Sequence, residues 1–195
     1  AKCDVVIDFT EPESTIKALE INRRHKKAFV IGTTGLIEEQ NAFLKEVSAE
    51  FPIVYAPNFS IGVNVLFKLV ELASELLNAG LDYDLEIIEA HHRHKKDSPS
   101  GTALKLLELA QEKSGRKENA DIKYGRKGRI GERDINEIGV NVIRAGDIVG
   151  EHTVLYSTEG ERVEISHKAH SREAFTSGAV KAAIFIADKD KGLYS

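Results

Sequence analysis

Short apolar runs alternate with amphipathic segments in the first part of the chain. Three of the runs are rich in β-branched or aromatic residues and predict strands, at residues 5–9, 28–35 and 52–60. Residues 38–51 repeat their apolar positions with helical spacing, and Thr10 is placed to cap a helix after the first strand. Because strands and helices alternate at the spacing of βα units, we expect a parallel sheet with covering helices.

The second part of the chain begins with longer elements. Residues 64–79 carry apolar side chains around most of a helical circumference and predict a largely buried helix that Gly80 ends. A strand at residues 84–92 and a helix at residues 101–113 follow. Residues 114–134 are polar and rich in Gly, Arg and Lys, so we expect no regular element there.

Three more strands are predicted towards the end of the chain, at residues 138–146, 150–158 and 161–169. Gly-Asp and Glu-Gly turns separate them, which favours an antiparallel meander. An apolar helix at residues 171–188 closes the pattern. The pattern as a whole therefore predicts an α/β protein in which a parallel sheet precedes a second, α+β domain.

A boundary between the two domains is expected near residue 61. The glycine-rich loop GxGxxG that opens a dinucleotide-binding fold does not occur before residue 60. If the first domain has that fold, we expect its first βαβ unit to lie upstream of Ala1.

Composition and charge restrict the class of protein. Lys and Arg number 27 against 31 Asp and Glu, and the net charge of -4 gives no overall reason to bind nucleic acid or an anionic membrane. No apolar run approaches the roughly 20 residues that a membrane span needs, and the single Cys3 cannot form an internal disulfide. We therefore expect a soluble, cytoplasmic protein without nucleic-acid or membrane partners.

Residues typical of ligand contacts follow the predicted parallel strands. Ligands of open parallel sheets bind beyond the carboxyl ends of the strands, and these ends carry Phe-Thr at 9–10, Gly-Thr-Thr at 32–34 and Ala-Pro-Asn-Phe at 56–59. Turn chemistry alone also explains such residues. Their recurrence at successive strand ends favours one shared crevice.

The segment EAHHRHKKDSPSGTA, residues 89–103, concentrates the candidate chemistry. Residues 86–97 carry three Lys or Arg against three Asp or Glu, so they lack the cationic excess that binds phosphates. The loop at 123–133 is more basic, although a solvated loop explains it too. Zinc needs more ligands than the two histidines that share one face of a strand, and no Cys pair accompanies them. A solvated run of charged residues also remains an open explanation of this segment.

The turn after the histidines favours a fourth interpretation. It leads directly into a helix, so the amides of Ser100, Gly101 and Thr102 are expected to point outward as an anion site. The ordinary pKa of histidine, about 6.5, suits proton exchange near neutral pH. The segment therefore predicts a pocket that holds a carboxylate and delivers a proton to the same molecule.

Five further motifs accompany this segment, in the order VVIDFTEPE, VIGTTG, APNFSIGVNVL, RAGDIVGEHTV and SHKAHSRE. With them, nearly the whole chain resembles the 4-hydroxy-tetrahydrodipicolinate reductase family. The resemblance implies that NADH or NADPH reduces a small cyclic imine dicarboxylate in the diaminopimelate route to lysine. Hydride goes to a ring carbon conjugated with the imine, and a proton quenches the intermediate.

The resemblance also implies an architecture and an assembly. The fold class is α/β, with a Rossmann-type parallel sheet that lacks its first βαβ unit and a second α+β domain with a mixed or mostly antiparallel sheet. Residues 1–61 are then the C-terminal half of the dinucleotide-binding domain, and residues 62–175 form the substrate-binding and oligomerisation domain. Residues 176–195 form a helix and tail that return to the first domain. Members of the family are commonly tetramers, so we expect a homotetramer.

Roles for individual residues follow from the same resemblance. The first histidine of the pair, His91, is implied as the acid/base residue, and Lys95 is implied as a proton donor. The residues implied in binding the substrate's carboxylates are His92, Gly101 and Thr102, and no metal is expected. The residues implied to contact the nicotinamide cofactor are Gly32, Thr33, Thr34, Ala56, Pro57, Asn58 and Phe59.

Two other functions remain as alternatives. One is a related oxidoreductase that acts on another amino-acid-derived substrate, which substrate preference would separate from the first. The other is a noncatalytic oligomerising or ligand-sensing fragment that keeps the substrate pocket without the nucleotide loop.

Overall fold

The computed structural model describes residues 3–77, 82–116 and 120–195. The chain divides into a first unit, Ala1–Ile61 with Glu173–Ser195, and a second unit, Gly62–Arg172. The return to the first unit begins at Glu173, the first residue of the last helix, whereas residue 176 was expected. The helix itself was predicted at residues 171–188.

Five helices and nine strands lie within the described residues. The helices are α1 (Pro12–Asn22), α2 (Glu38–Val47), α3 (Ile61–Leu77), α4 (Gly101–Lys113) and α5 (Glu173–Ile186). The strands are β1 (Val5–Asp8), β2 (Ala28–Ile31), β3 (Pro52–Tyr55), β4 (Asp84–His91), β5 (Asp121–Tyr124), β6 (Glu137–Arg144), β7 (Gly150–Thr158), β8 (Glu161–Ala169) and β9 (Gly192–Tyr194). None of the helices described is both long and apolar enough to cross a membrane.

The first unit contains a parallel sheet in the order β1-β2-β3-β9, which confirms the predicted parallel sheet. All four residues of β2 are buried, because helices cover both faces. Phe29 and Ile31 pack in a cluster with Leu44 of α2, whereas Val30 packs in a cluster with Ile186 of α5. This two-sided burial explains the continuous apolar run in β2.

The predicted cap of the first helix is wrong. The amide and hydroxyl of Thr10 both donate to Asp8 Oδ1, at 3.0 and 2.6 Å, so Thr10 closes a turn at the end of β1. Helix α1 begins later, at Pro12, with Glu11 at the N-cap and no side-chain cap. Proline suits the first helical position because it has no amide proton to satisfy.

The second unit contains a mixed sheet in the order β5-β6-β4-β7-β8. The central strand β4 is parallel to β6 and antiparallel to β7. The predicted three-stranded meander is therefore wrong, although β7 and β8 do form an antiparallel hairpin. The connection at residues 145–149 crosses the end of β4, so β6 and β7 lie on opposite sides of it. A short turn between two strands indicated direct pairing, but the sequence does not show that a third strand lies between them.

Short elements and one helix face also differ from expectation. Strand β5 lies in the stretch predicted to be irregular, and β9 adds three residues to the first sheet. Helix α3 buries only one side, because Leu66 and Val70 are in the core of the second unit. The side predicted to be buried as well is about half-exposed and carries Val65, Leu69, Leu72 and Leu76. The predicted helix end at Gly80 lies outside the described residues.

Candidate active site

His91 ends the central strand β4, and its side chain is buried. Residues two apart on a strand share a face, so His91 lies beside Glu89. His91 Nδ1 and Glu89 Oε2 are 2.5 Å apart, which makes a short hydrogen bond. The ring of the predicted acid/base residue is therefore hydrogen-bonded to a carboxylate of the same strand.

The Glu89 carboxylate has no exposed surface and is held by donors from two further elements. Arg144, at the end of β6, donates from Nη1 to Oε2 and from Nη2 to Oε1, each at 2.9 Å. The amide of Ser100, which precedes α4, donates to Oε1 at 3.0 Å. Burial raises the pKa of Glu89, but the hydrogen bonds from His91, Arg144 and Ser100 lower it by more, so that the resulting pKa is about 2. Glu89 is therefore ionised at neutral pH.

A second buried histidine lies on the other side of β4. His152 of β7 is opposite Glu89 in the strand pairing, and its ring meets the His91 ring edge-on with centroids 5.1 Å apart. Its Nε2 is 3.1 Å from the Ser100 hydroxyl. Burial, and after it the charge of a protonated His91, lowers the pKa of His152 to about 3. His152 is therefore neutral under ordinary conditions.

The loop that follows β4 supplies the predicted lysine. Lys95 Nζ is 3.0 Å from Asp97 Oδ1, and its side chain is largely shielded from solvent. The Lys95 amide donates to the His92 carbonyl at 3.1 Å, so the chain turns directly after the end of β4. Lys95 therefore lies in the turn that follows His91 and His92.

The neighbours of His92 are an arginine and a second histidine, which do not indicate a metal site. Its Nε2 is 3.3 Å from Arg172 Nη2, and its ring centroid is 6.2 Å from that of His94. Burial, then the charge of Arg172, lowers the pKa of His92. Within the described parts of the chain, no group of three or more His, Cys, Asp or Glu side chains could hold a metal ion.

The beginning of α4 differs from expectation at one of its three amides. Ser100 is the N-cap, its hydroxyl accepts from the Ala103 amide at 3.2 Å, and its own amide is taken by Glu89. The expectation that the Ser100 amide points freely outward is therefore wrong, because the strand's own carboxylate occupies it. Gly101 is the half-buried first residue of the helix, and Thr102 is buried.

Gly150, the first residue of β7, permits the close packing of the His91 ring. A Cβ at this position would lie 3.1 Å from His91 Nε2 and 3.4 Å from its Cδ2. Any larger residue would therefore press on the nitrogen that Glu89 does not hold.

In the first unit, the predicted cofactor residues follow β2 and β3 at one edge of the parallel sheet. The Gly32 amide donates to the Asp8 carbonyl, and the Ala56 amide donates to the Ile31 carbonyl, so the three strand ends are joined. A Cβ at Gly32 would overlap the Phe9 ring at 2.1 Å. This edge has no room for a larger residue at Gly32 while the Phe9 ring stays in place.

The remaining predicted cofactor residues divide into buried and accessible ones. The Thr33 hydroxyl is buried and accepts from Thr15 at 2.9 Å, and Phe59 is part of the core. Asn58 Oδ1 accepts from the Ser60 amide at 2.8 Å. The side chains of Thr34 and Pro57 are exposed, and those of Ala56 and Asn58 are half-buried.

Comparison with known proteins supports a single family over both units. The profile of the dihydrodipicolinate reductase N-terminus matches residues 1–59, and that of the C-terminus matches residues 62–195. The chain belongs to the dihydrodipicolinate reductase family. The resemblance predicted from the motifs is thereby confirmed, together with the α/β fold class.

Individual members of the dihydrodipicolinate reductase family are similar over nearly the whole chain. The 4-hydroxy-tetrahydrodipicolinate reductase of Hahella chejuensis is 54% identical over 191 residues, which cover 98% of this chain and 71% of that protein. The enzyme of the same name from Laribacter hongkongensis is 53% identical over 186 residues, 95% of this chain and 69% of that protein.

One solved structure of the same family and one more distant structure resemble this chain. A dipicolinate-bound dihydrodipicolinate reductase from Paenisporosarcina sp. TG-14 has a TM-score of 0.75 and 28% identity, and the match covers 98% of this chain and 71% of that one. A probable dehydrogenase from Thermotoga maritima, 10% identical with a TM-score of 0.50 over 92% of this chain and 68% of that one, shares the fold alone.

Three residues of the site were not identified from the sequence: Glu89, Arg144 and His152. Glu89 was counted only as a compensating charge, although its position two residues before His91 on a strand is a signal for a shared face. Arg144 and His152 could not be placed by sequence, because their proximity to Glu89 depends on β4 lying between β6 and β7.

Proposed function

We propose that the chain catalyses the NADH- or NADPH-dependent reduction of 4-hydroxy-tetrahydrodipicolinate in the diaminopimelate route to lysine. Family membership and the names of relatives more than 50% identical support the reaction. The observation that carries the proposal is the buried His91 ring, whose Nδ1 is hydrogen-bonded to the ionised Glu89 carboxylate. Such an arrangement stores a proton at a fixed place. Lys95 lies four residues further on, in the loop after the same strand, where it is paired with Asp97.

In the proposed mechanism, the second unit binds the dicarboxylate and moves the proton. His92, Gly101 and Thr102 bind the carboxylates, because the first turn of a helix offers amide donors and a favourable dipole. His91 exchanges the proton through Nε2, and Lys95 donates a proton to the electron-rich intermediate. Arg144 balances the charge of Glu89. Arg172, beside His92, and Lys95, which is paired with Asp97 in this structure, would attract the anionic substrate.

In the same proposal, the first unit binds the nicotinamide cofactor, which supplies the hydride when bound. One observation fits a ligand at this edge of the sheet: Asp8 Oδ2, at the end of β1, is buried without a hydrogen-bond partner among the described residues. A donor group of a ligand would satisfy that oxygen. Thr34 and Pro57, whose side chains are exposed, would contact the cofactor directly. The other expected residues would shape the strand ends around it: Gly32, Thr33, Ala56, Asn58 and Phe59.

The test follows the nicotinamide absorbance with freshly made substrate. We expect the wild-type protein to oxidise NADH or NADPH, and the double variant His91→Asn with Lys95→Ala to lose turnover while it keeps cofactor affinity. Lys96→Ala is the matched control, because it removes a neighbouring exposed lysine. Turnover that survives in the double variant would show that these two residues do not carry the reaction.

We propose the assembly and the location on family resemblance alone. The protein is a homotetramer in the cytoplasm, assembled through the sheet of the second unit, and residues 62–175 serve substrate binding and oligomerisation. Light scattering coupled to gel filtration tests the assembly. A monomeric mass at micromolar concentration would overturn it.

A further inference from the structure

Glu89 is a charged side chain with no exposed surface. A carboxylate taken out of water is costly unless hydrogen bonds satisfy it, and an ionised carboxylate offers about four acceptor sites. Four donors meet these sites: His91 Nδ1 and Arg144 Nη1 at Oε2, Arg144 Nη2 and the Ser100 amide at Oε1. The carboxylate is therefore fixed in both position and rotation.

The proton in the bond between Glu89 and His91 belongs to the histidine. The pKa of Glu89 is about 2, so its oxygen has no proton to give at neutral pH. The ring must therefore carry its proton on Nδ1 when it is neutral. This leaves Nε2, next to Gly150, as the nitrogen that gains and loses a proton.

We propose that Glu89 is the positioning residue of His91: it fixes the tautomer and the orientation of the ring, so that Nε2 alone exchanges the proton with the substrate. Arg144 and the Ser100 amide hold Glu89 in place for this purpose. The inference rests on the proposed role of His91 in the reductase reaction. Carboxylates behind metal-bound histidines orient rings in the same way.

A purely structural role is the competing explanation. Glu89 joins β4, β6 and the beginning of α4, so its loss could weaken the second unit without any specific effect on His91. The two explanations differ in the state of the ring and in whether the effect of Glu89 passes through His91.

The first experiment needs no catalysis and no variant of Glu89. In protein labelled with ¹⁵N-histidine, ring nitrogen shifts report which nitrogen carries the proton, and His91→Asn identifies the His91 signals by their loss. We expect neutral His91 to be protonated at Nδ1. Protonation at Nε2 in the neutral ring would overturn the proposal, even if the enzyme is fully active.

The second experiment compares kinetics in a double-mutant cycle. We expect Glu89→Gln to lower kcat by about tenfold to hundredfold, and to change the KM of the dicarboxylate by less than about threefold. Glu86→Gln is the matched control, since it removes an arginine-paired glutamate from the opposite face of the same strand, and we expect it to leave kcat unchanged.

The same cycle separates positioning from structure. If Glu89 acts through His91, Glu89→Gln causes no further loss of the residual rate in a His91→Asn background. An equal loss in both backgrounds would mean a structural role and would overturn the inference. If the wild-type protein does not oxidise NADH or NADPH, but His91 is protonated at Nδ1, the proposed function fails while the geometry of the pair stands.

Discussion

Mild acid should destabilise the second unit through one buried side chain, His152. Only 3% of its surface is exposed, and burial together with a protonated His91 lowers its pKa to about 3. An unfolded chain leaves the ring in water with its ordinary pKa of about 6.5. Between these two values the unfolded chain binds a proton that the folded chain does not. Stability is therefore complete above about pH 6.5 and falls as the pH drops towards 3.

The magnitude follows from the distance between the two pKa values and the pH. A pH of about 5 lies about 1.5 units below the ordinary pKa of histidine. Protonation therefore stabilises the unfolded chain by ~2 kcal/mol at this pH, and the folded chain does not gain this free energy. Because pH 5 lies well above the folded pKa, the ordinary value alone sets this loss. Glu89 contributes little there, since its own loss of stability falls between its ordinary pKa of 4.5 and about 2.

The assay is urea unfolding at about pH 7.5 and about pH 5, for the wild-type protein and for His152→Gln, whose side-chain amide can replace Nε2 next to Ser100. The pKa values of His92 and His167 are also lowered, but both residues are present in both proteins and their effects cancel. We expect the wild type to lose ~2 kcal/mol more than the variant between the two pH values. Equal losses would refute the reasoning.

Three further substitutions test the packing. Gly178→Ala would place a Cβ 1.7 Å from the Phe59 carbonyl oxygen. We therefore expect the free energy of unfolding to fall by about 1–3 kcal/mol or more and calorimetry to show a lower Tm. An unchanged Tm would contradict the close approach. Gly150→Ala should lower kcat without changing cofactor affinity, because its Cβ presses on His91 Nε2; full activity would show that the ring has space to move. Leu85→Ala, at a position with no exposed surface, should cost about 2–5 kcal/mol in urea unfolding, and a loss under about 1 kcal/mol would mean that the core closes around the cavity.

The sequence predicts elements well where one physical cause dominates. The apolar run of β2 identifies a strand because both its faces are buried. Helix α4 is found with its observed bounds because its apolar residues recur at helical spacing. Strands β5 and β9 escape notice because they are short, lie at sheet edges and bury little. Local patterns carry little information about such strands, because pairing rather than burial defines them.

Strand order and the environment of the site are not local properties. The predicted meander failed because the turn after β6 shows only that the chain reverses, not which strand it reverses across. The same limit hid the contacts of Arg144 and His152 with the β4 site. His91, Lys95 and Gly101 lie in the continuous segment 89–103, and the family resemblance implies their roles. Arg144 and His152 come from β6 and β7, and they meet this segment only because β4 lies between those two strands.

The connection at residues 145–149 does more than reverse the chain, because it sets how β7 is registered against β4. Within it, the Ala145 amide donates to the His91 carbonyl, so its beginning is tied to the end of the central strand. Removal or insertion of one residue would shift β7 by one position and turn Gly150, His152, Val154 and Tyr156 towards the opposite face. In homologous chains we therefore expect this connection to vary in side chains but to keep its length, since a single deletion would empty the core and the site together.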